Sequence, residues 1–340
     1  MKFDVTGGNS ARPVGGPDVS AVMREVALAL VPGVVIYTLC FGWGVITNLL
    51  LATVLVLSFE ALALALRRRS MVEGLSDNSA LVSAWLFALA LPPLSPWWLI
   101  AIGAGFAILL AKHVYGGLGY NPFNPAMVGY VVLLISFPLE MTRWVSPGVQ
   151  DLSLAAAQDS LTLVLGIEPW LTAEWDAITR ATPLDHMRTG LALGSGMPTV
   201  ALFDGFPGTG WAWVASAWLA GGLWLIYRGI IRWHIPLALI LSVLVAATVF
   251  HLIDPARYAS PLLHLFSGAT LLGAFFIATD PVTAPSSTRG RVYFAIGIGV
   301  LTYTLRTWGG YPDGIAFAVL LGNLCAPTID YFVRPRGFGR

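Results

Sequence analysis

Long apolar stretches separated by short polar ones run through the whole chain. Several approach the roughly 20 residues that a helix needs to cross the hydrocarbon core of a bilayer. Ten such segments can be counted: Ala21–Leu39, Val45–Leu66, Asn78–Leu91, Trp97–Lys112, Ala126–Phe137, Trp211–Tyr227, Ile235–Ile253, Leu262–Thr279, Val292–Trp308 and Gly314–Ile329. Because the segments are apolar on every face, they indicate helices surrounded by lipid and by one another. The pattern predicts an all-α integral membrane protein with about ten transmembrane helices.

Composition agrees with this prediction and excludes several functions. The 340 residues are 56% hydrophobic and 11% charged, whereas a soluble domain keeps about 25% charged residues. The net charge of +1 indicates no nucleic-acid partner. Cys40 and Cys325 lie in apolar runs and are expected to be small buried side chains. Two cysteines are too few for an iron–sulfur cluster, which needs about four ligands, and the five histidines show no metal-ligand spacing.

The basic residues predict an orientation in the membrane. Cytoplasmic loops carry the excess of Lys and Arg. With the amino terminus inside and every segment crossing, only five of the 19 basic residues fall outside, namely Arg143, Arg180, Arg188, Arg257 and Arg306. We therefore expect cytoplasmic tails at 1–20 (flexible) and 332–340, and a periplasmic loop at 139–209 of a bacterial inner-membrane protein. No cleavable signal peptide is expected, and the first segment would serve as the insertion signal.

Two short patterns recur in the two halves of the chain. Leu86–Pro92 resembles Phe275–Pro281, and Tyr115–Gly117 resembles Trp308–Gly310, at offsets of 189 and 193 residues. Each half, 21–138 and 210–331, contains five apolar segments. Since five is odd, the second half would enter from the opposite face and form an inverted 5+5 repeat, with a site at the interface between the halves.

A few polar residues interrupt the apolar segments. Glu60 lies inside the second segment, where a carboxylate is costly and usually faces a cavity or a partner. It could belong to an ion pathway, or it could pair with Lys112 or reach toward the cytoplasm. Asp77 could cap a helix and Asp280 could end one, so both remain ambiguous. Asn124 is expected to cap a helix that begins at Pro125.

The long loop holds the most specific candidate for chemistry. Asp176, Thr179, Ala181 and Thr182 follow the spacing Asp-x-x-Thr-x-Ala-Thr. This spacing resembles the motif on which a periplasmic flavin transferase acts when it joins the phosphate of FMN to a threonine oxygen. Such an acceptor must be an accessible hydroxyl with small neighbours. The sequence departs from the usual motif at Arg180, where a small residue is common.

Three longer stretches carry a resemblance to a family. They are Lys112–Pro125 (Lys-His-Val-Tyr-Gly-Gly-Leu-Gly-Tyr-Asn-Pro-Phe-Asn-Pro), Ala181–Asp185 and Gly273–Thr283. The chain resembles the D subunits of Rnf complexes, which are relatives of the B subunit of the sodium-pumping NADH:quinone reductase. The resemblance implies electron transfer between ferredoxin and NAD coupled to Na⁺ or H⁺ movement, covalent FMN at Thr182, and a non-covalent riboflavin among the helices. It also implies the A, B, C, E and G subunits as partners, and the flavin transferase for maturation.

Two alternatives remain. Ser267-Gly268-Ala269-Thr270 matches the core of the attachment motif, but His264 stands where the acid should be and the tetrapeptide opens an apolar segment, so Thr182 is favoured over Thr270. Ten helices in an inverted repeat are also the plan of urea and ammonium channels, so a channel or transporter without redox function is the second hypothesis. No dinucleotide-binding motif occurs, so no complete active site is expected in this chain.

Overall fold

The computed structural model describes residues 18–148, 150–167, 178–194, 210–311 and 313–333. Within these ranges the chain is helical, and its one β-bridge joins Val145 to Thr179. The helices of the first half and of the connecting loop are α1 Val19–Phe41, α2 Gly44–Leu66, α3 Met71–Ser76, α4 Ser79–Ala90, α5 Trp97–Gly105 continued by a π-helical stretch Phe106–His113, α6 Pro125–Ser136, α7 Pro138–Met141, α8 Leu154–Leu165 and α9 Pro183–Leu193.

The second half begins, like the first, with two long helices followed by a six-residue helix. Its elements are α10 Trp211–Tyr227, α11 His234–Ile253, α12 Pro261–Phe266, α13 Thr270–Leu272 continued by a π-helical stretch Gly273–Ile277, α14 Thr288–Trp308 and α15 Ile315–Phe332. Among the described residues, α1, α2, α11 and α15 are long and apolar enough to cross a membrane, and other apolar helices are shorter. The prediction of an all-α, multi-pass membrane protein is confirmed.

Both halves contain an interrupted helix at the same place in the order. In the first half, α3 and α4 are separated at Asp77 and Asn78, and Asn78 has a left-handed backbone with φ 59°. In the second half, α12 and α13 are separated at Ser267–Ala269, and Gly268 has φ 65°. The prediction of one continuous segment over Leu262–Thr279 is therefore wrong. Hydropathy shows no gap there because Gly268 and Ala269 are themselves apolar or neutral.

The two halves pack closely because small residues lie between α1 and α10. A Cβ atom at Gly33 of α1 would overlap the ring of Trp218 of α10, and one at Gly221 would overlap the carbonyl oxygen of Ala29. Small residues let helix backbones approach in this way in membranes. A polar contact adds to the packing, since the backbone N–H of Asn124 donates to Oδ1 of Asn323 at 3.1 Å.

The start of α6 follows the predicted capping rule. The Asn124 side chain accepts a hydrogen bond from the N–H of Met127 at 3.2 Å, and Pro125 occupies the first helical position. The prediction for the two cysteines is correct for Cys40, which is buried, and wrong for Cys325, which is exposed. An apolar run does not distinguish the face of a helix that meets lipid from the face that meets protein.

Candidate functional site

Thr182 is the N-cap residue of α9. Its hydroxyl accepts a hydrogen bond from the N–H of Asp185 at 3.2 Å and donates one to Oδ2 of the Asp185 carboxylate at 2.9 Å. That carboxylate also accepts from the N–H of Thr182 at 3.4 Å, which completes a capping box, and Pro183 is the first helical residue. The side chain of Thr182 is half-buried. The predicted acceptor hydroxyl is therefore at the surface and held in one orientation.

A short backbone pairing holds the chain just before this cap. The N–H of Arg180 donates to the carbonyl of Trp144 at 3.0 Å, and the N–H of Ser146 donates to the carbonyl of Ile178 at 2.8 Å. Thr179 lies in this pairing, opposite Val145. Thr179 and Thr182 are thus brought into one ordered turn. Asp176, the remaining residue of the predicted motif, lies outside the described residues.

A cavity of about 90 Å³, here called the central cavity, lies between the two halves, and Thr182 is one of the residues that line it. A single water molecule needs about 10–15 Å³ when volume is counted in the same way, as the space open to a water-sized sphere. The cavity is therefore several times larger than the site of one water molecule. Most of its lining is aromatic or aliphatic, including Tyr37, Tyr130, Trp144, Trp211, Trp218, Met127 and Leu272. Asp313 adds an acidic group. An apolar cleft with few polar groups is the usual form of a small-molecule or cofactor site.

Asp313 and Arg306 form a buried ion pair beside this cavity. Oδ1 of Asp313 accepts from Nη2 of Arg306 at 2.8 Å and from its Nε at 3.2 Å. Oδ2 of Asp313 accepts from the N–H of Ala269 at 2.7 Å, and Nη1 of Arg306 donates to the carbonyl of His264 at 2.7 Å. Arg306 is completely buried. These contacts connect the interruption between α12 and α13 to the end of α14 and the start of α15.

The alternative attachment site at Thr270 is not available for modification. Thr270 is completely buried, and its hydroxyl donates to the carbonyl of His264 at 2.6 Å. A transferase needs an acceptor that it can reach. Of the two threonines, Thr182 is the more exposed, and its role as an acceptor stays a prediction.

Glu60 lies in a second buried cluster, in the first half. Its Oε1 accepts from Nζ of Lys112 at 2.9 Å and lies 3.0 Å from Nε2 of His113. Nζ of Lys112 also donates to Oγ of Ser79 at 3.0 Å, and Oγ of Ser79 donates to the Asp77 carboxylate at 2.6 Å. The pairing with Lys112 that the sequence offered as one alternative is present. A role of Glu60 in an ion pathway stays a prediction.

Asp280 lies in the segment between the π-helical stretch and α14. One oxygen of its carboxylate accepts from the N–H of Val282 at 3.0 Å. Burial raises the pKa of this carboxyl, and the bond from Val282 opposes that rise. The arrangement fits a residue that ends a helix and turns the chain.

Three residues of these clusters were missed by sequence reasoning. Arg306 is an ionisable residue inside an apolar segment, the same signal that singled out Glu60. Asp185 follows Thr182 and Pro183 at the spacing of a capping box, a local pattern that can be read from sequence. The contact of Asp313 with Ala269 joins residues 44 positions apart, and no local pattern reveals it.

Fold and site together define a multi-pass helical membrane protein with a cavity between two groups of helices and a threonine hydroxyl in the wall of that cavity. The model of the NQR2, RnfD, RnfE family matches residues 12–339. The chain belongs to this family.

Curated relatives of similar length share half of its sequence. They are named as D subunits of an ion-translocating oxidoreductase complex. The relative from Shewanella denitrificans is 50% identical over 347 residues, covering 100% of this chain and 99% of that protein. The relatives from Vibrio vulnificus and Sodalis glossinidius are each 50% identical, over 335 and 325 residues, covering 94% of both chains in each case.

Proposed function

We propose that the protein is the flavin-carrying membrane subunit of an ion-translocating oxidoreductase complex, with FMN held as a phosphate ester on Thr182. The observation that carries the proposal is the position of Thr182, a half-buried residue that lines the cavity between the two halves and whose hydroxyl is oriented by Asp185. The names of the relatives, all subunits of an oxidoreductase complex, favour this function over a channel without redox chemistry.

The residues around Thr182 fit an FMN ester. The phosphate would lie at the amino-terminal end of α9, where the helix dipole and free N–H groups favour negative charge. The rings of Trp144, Trp211 and Tyr130, which line the cavity together with Thr182, offer flat apolar surfaces to an aromatic ring system. When bound, the flavin supplies the ability to accept and release electrons. The protein residues hold it, orient it and exclude water from one side.

Finer features belong to the same proposal. The protein would lie in the bacterial inner membrane with both termini in the cytoplasm and the loop 139–209 in the periplasm, as an inverted repeat. It would assemble with the A, B, C, E and G subunits and be matured by the flavin transferase. A non-covalent riboflavin among the helices, an ion pathway through Glu60, and Na⁺ or H⁺ as the ion complete the proposal. The buried cluster of Glu60, Lys112 and His113 supports the pathway because it places ionisable groups inside the helical bundle.

Denaturing gel electrophoresis tests the attachment directly. After co-expression with the flavin transferase, the full chain should give a fluorescent band under ultraviolet light, and Thr182→Ala should abolish it. Thr270→Ala and Thr189→Ala, which remove a buried hydroxyl and an exposed hydroxyl on α9, should leave it in place. A wild-type band without fluorescence, or a Thr182→Ala band that keeps it, contradicts the proposal.

A further inference from the structure

Leu184 connects the proposed attachment residue to the second half of the protein. It lies two residues after Thr182, is 2% exposed, and contributes to the wall of the central cavity. It also belongs to a small apolar cluster that is separate from the main core. That cluster consists of Leu184, Met187, Ala259 and Leu263, so α9 packs against α12 and the residues just before it.

The side chain of Leu184 lies directly against Gly268, in the interruption between α12 and α13. A Cβ atom at position 268 would lie 2.6 Å from Cδ1 of Leu184 and would also overlap the Asp313 carboxylate. Gly268 has φ 65°, a backbone conformation that side-chain-bearing residues rarely adopt. We refer to this contact surface, made by Gly268 beside Asp313, as the Gly268 notch.

The Gly268 notch lies beside the ion pair of Arg306 and Asp313. The N–H of Ala269 donates to Asp313, and Asp313 in turn is bound by two nitrogens of Arg306. Because Arg306 is completely buried and also donates to the carbonyl of His264, the notch has little freedom to move relative to α12 and α14. Hydrogen bonds from one buried side chain to several chain segments limit the movement of those segments relative to one another.

Thr182 therefore lies between two fixed points. The pairing of Arg180 with Trp144 holds the chain two residues before it, and the contact of Leu184 with Gly268 holds the chain two residues after it. The tetrapeptide Ser267–Thr270, whose sequence matches the core of the attachment motif, thus lies against α9, which begins at the proposed acceptor Thr182.

We propose that Gly268 and Leu184 are positioning residues for Thr182, and that seating Leu184 in the Gly268 notch keeps the Thr182 oxygen at the wall of the central cavity. This proposal rests on the proposed function for its biological meaning. Its structural content, the location of position 182, can be measured without any flavin.

The first experiment reports the location of position 182 in the full chain without cofactor. Thr182→Cys is introduced together with Cys40→Ser and Cys325→Ser, and the single thiol is labelled with bimane, whose emission tryptophan quenches at short range. Trp144 and Trp211 line the same cavity, so the label should be strongly quenched. Adding Gly268→Ala or Leu184→Ala should lower the fraction of molecules in which Leu184 contacts residue 268. The bimane emission should then rise by about threefold or more. Leu193→Ala, at a 74% exposed position of the same helix, should leave it unchanged.

The second experiment uses the flavin-loaded chain. In Gly268→Ala and Leu184→Ala, quenching of the bound flavin by iodide should increase relative to wild type and Leu193→Ala. If Gly268→Ala fails to accumulate in membranes, Leu184→Ala alone decides, because it removes only side-chain atoms. Unchanged bimane emission in Leu184→Ala overturns the positioning role, whatever the flavin content. The two proposals can fail separately. If the wild-type gel band shows no fluorescence but the bimane emission rises in the variants, the proposed function is rejected and the positioning role is supported.

Discussion

Each half of the protein buries a cation beside its interrupted helix, but the two cations are held differently. In the second half, Arg306 donates to Oδ1 of the Asp313 carboxylate, and Oδ2 of that carboxylate accepts from the N–H of Ala269. Nη1 of Arg306 donates to the carbonyl of His264. Beside Ser79, Lys112 shares a single oxygen of Glu60 with His113, while Oε2 of Glu60 has no hydrogen-bond partner among the described residues.

The difference separates a structural contact from a candidate functional one. The Arg306–Asp313 pair is bonded at both carboxylate oxygens, so it fixes the chain segments that it joins. A buried carboxylate with one oxygen left over, and ionisable groups around the other, can still take a proton or a cation. We therefore expect a structural role for the Arg306–Asp313 pair, while a role of Glu60 in an ion pathway stays a prediction.

The largest effect is expected when the Arg306–Asp313 pair is broken. Arg306→Met removes the buried cation that faces the Asp313 carboxylate, which is 18% exposed, and should lower the free energy of unfolding by about 3 kcal/mol, the lower end of the range for a fully buried pair. Thermal or denaturant unfolding of the purified chain in detergent, followed by tryptophan fluorescence, measures it. A loss below about 1 kcal/mol, typical of an exposed ion pair, would contradict a structural role.

A smaller loss is expected for the matched change in the first half. In Lys112→Met, Glu60 keeps His113 as a neighbour and can become neutral by binding a proton, so we expect a loss of about 1–3 kcal/mol. The same unfolding measurement applies. If Lys112→Met destabilises as much as Arg306→Met, the two clusters are equally rigid and the proposed distinction fails.

Replacing the carboxylate of Glu60 should affect transport more than folding. Glu60→Gln keeps an oxygen for Lys112 and should reduce stability by about 0.5–1.5 kcal/mol, the range of one hydrogen bond. Flavin content should stay intact while ion pumping by the assembled complex in vesicles falls. Pumping at the wild-type rate would leave Glu60 with the structural pairing alone.

The smallest change in the free energy of unfolding is expected at Asn78, which has a left-handed backbone between α3 and α4. Asn78 has φ 59° and donates to Oγ of Ser20 at 2.9 Å in a partly exposed place. Since glycine adopts this backbone freely, Asn78→Gly should change stability by less than about 0.5 kcal/mol. A loss as large as that of Arg306→Met would show that the first interruption is held as tightly as the second.

The parts of the fold that depend on neighbouring residues could be predicted from sequence. Asn124 and Pro125 begin α6 as the capping rule requires, and Glu60 was recognised because a carboxylate is unusual in an apolar run. Lys112 was identified as one possible partner of Glu60, although 52 residues separate the two.

The parts that depend on distant contacts could not be predicted. At the interruption Ser267–Ala269, Asp313 binds the N–H of Ala269, and hydropathy does not reveal a bond between residues so far apart in sequence. The exposure of Cys325 depends on which face of α15 the other helices cover. The candidate site was identified by the motif around Thr182, but the cavity beside it requires residues from both halves and from the loop.

The capping box at Thr182 has a consequence for the proposed attachment of FMN. The hydroxyl proton that Thr182 donates to Asp185 is the proton that ester formation removes, so the modified chain cannot keep this bond. The Asp185 carboxylate would then face a phosphate of the same sign and would have to turn away, leaving the phosphate to cap α9. Unmodified chains would thus carry an internal substitute for the missing cofactor. In this way α9 would be capped both before and after the proposed modification.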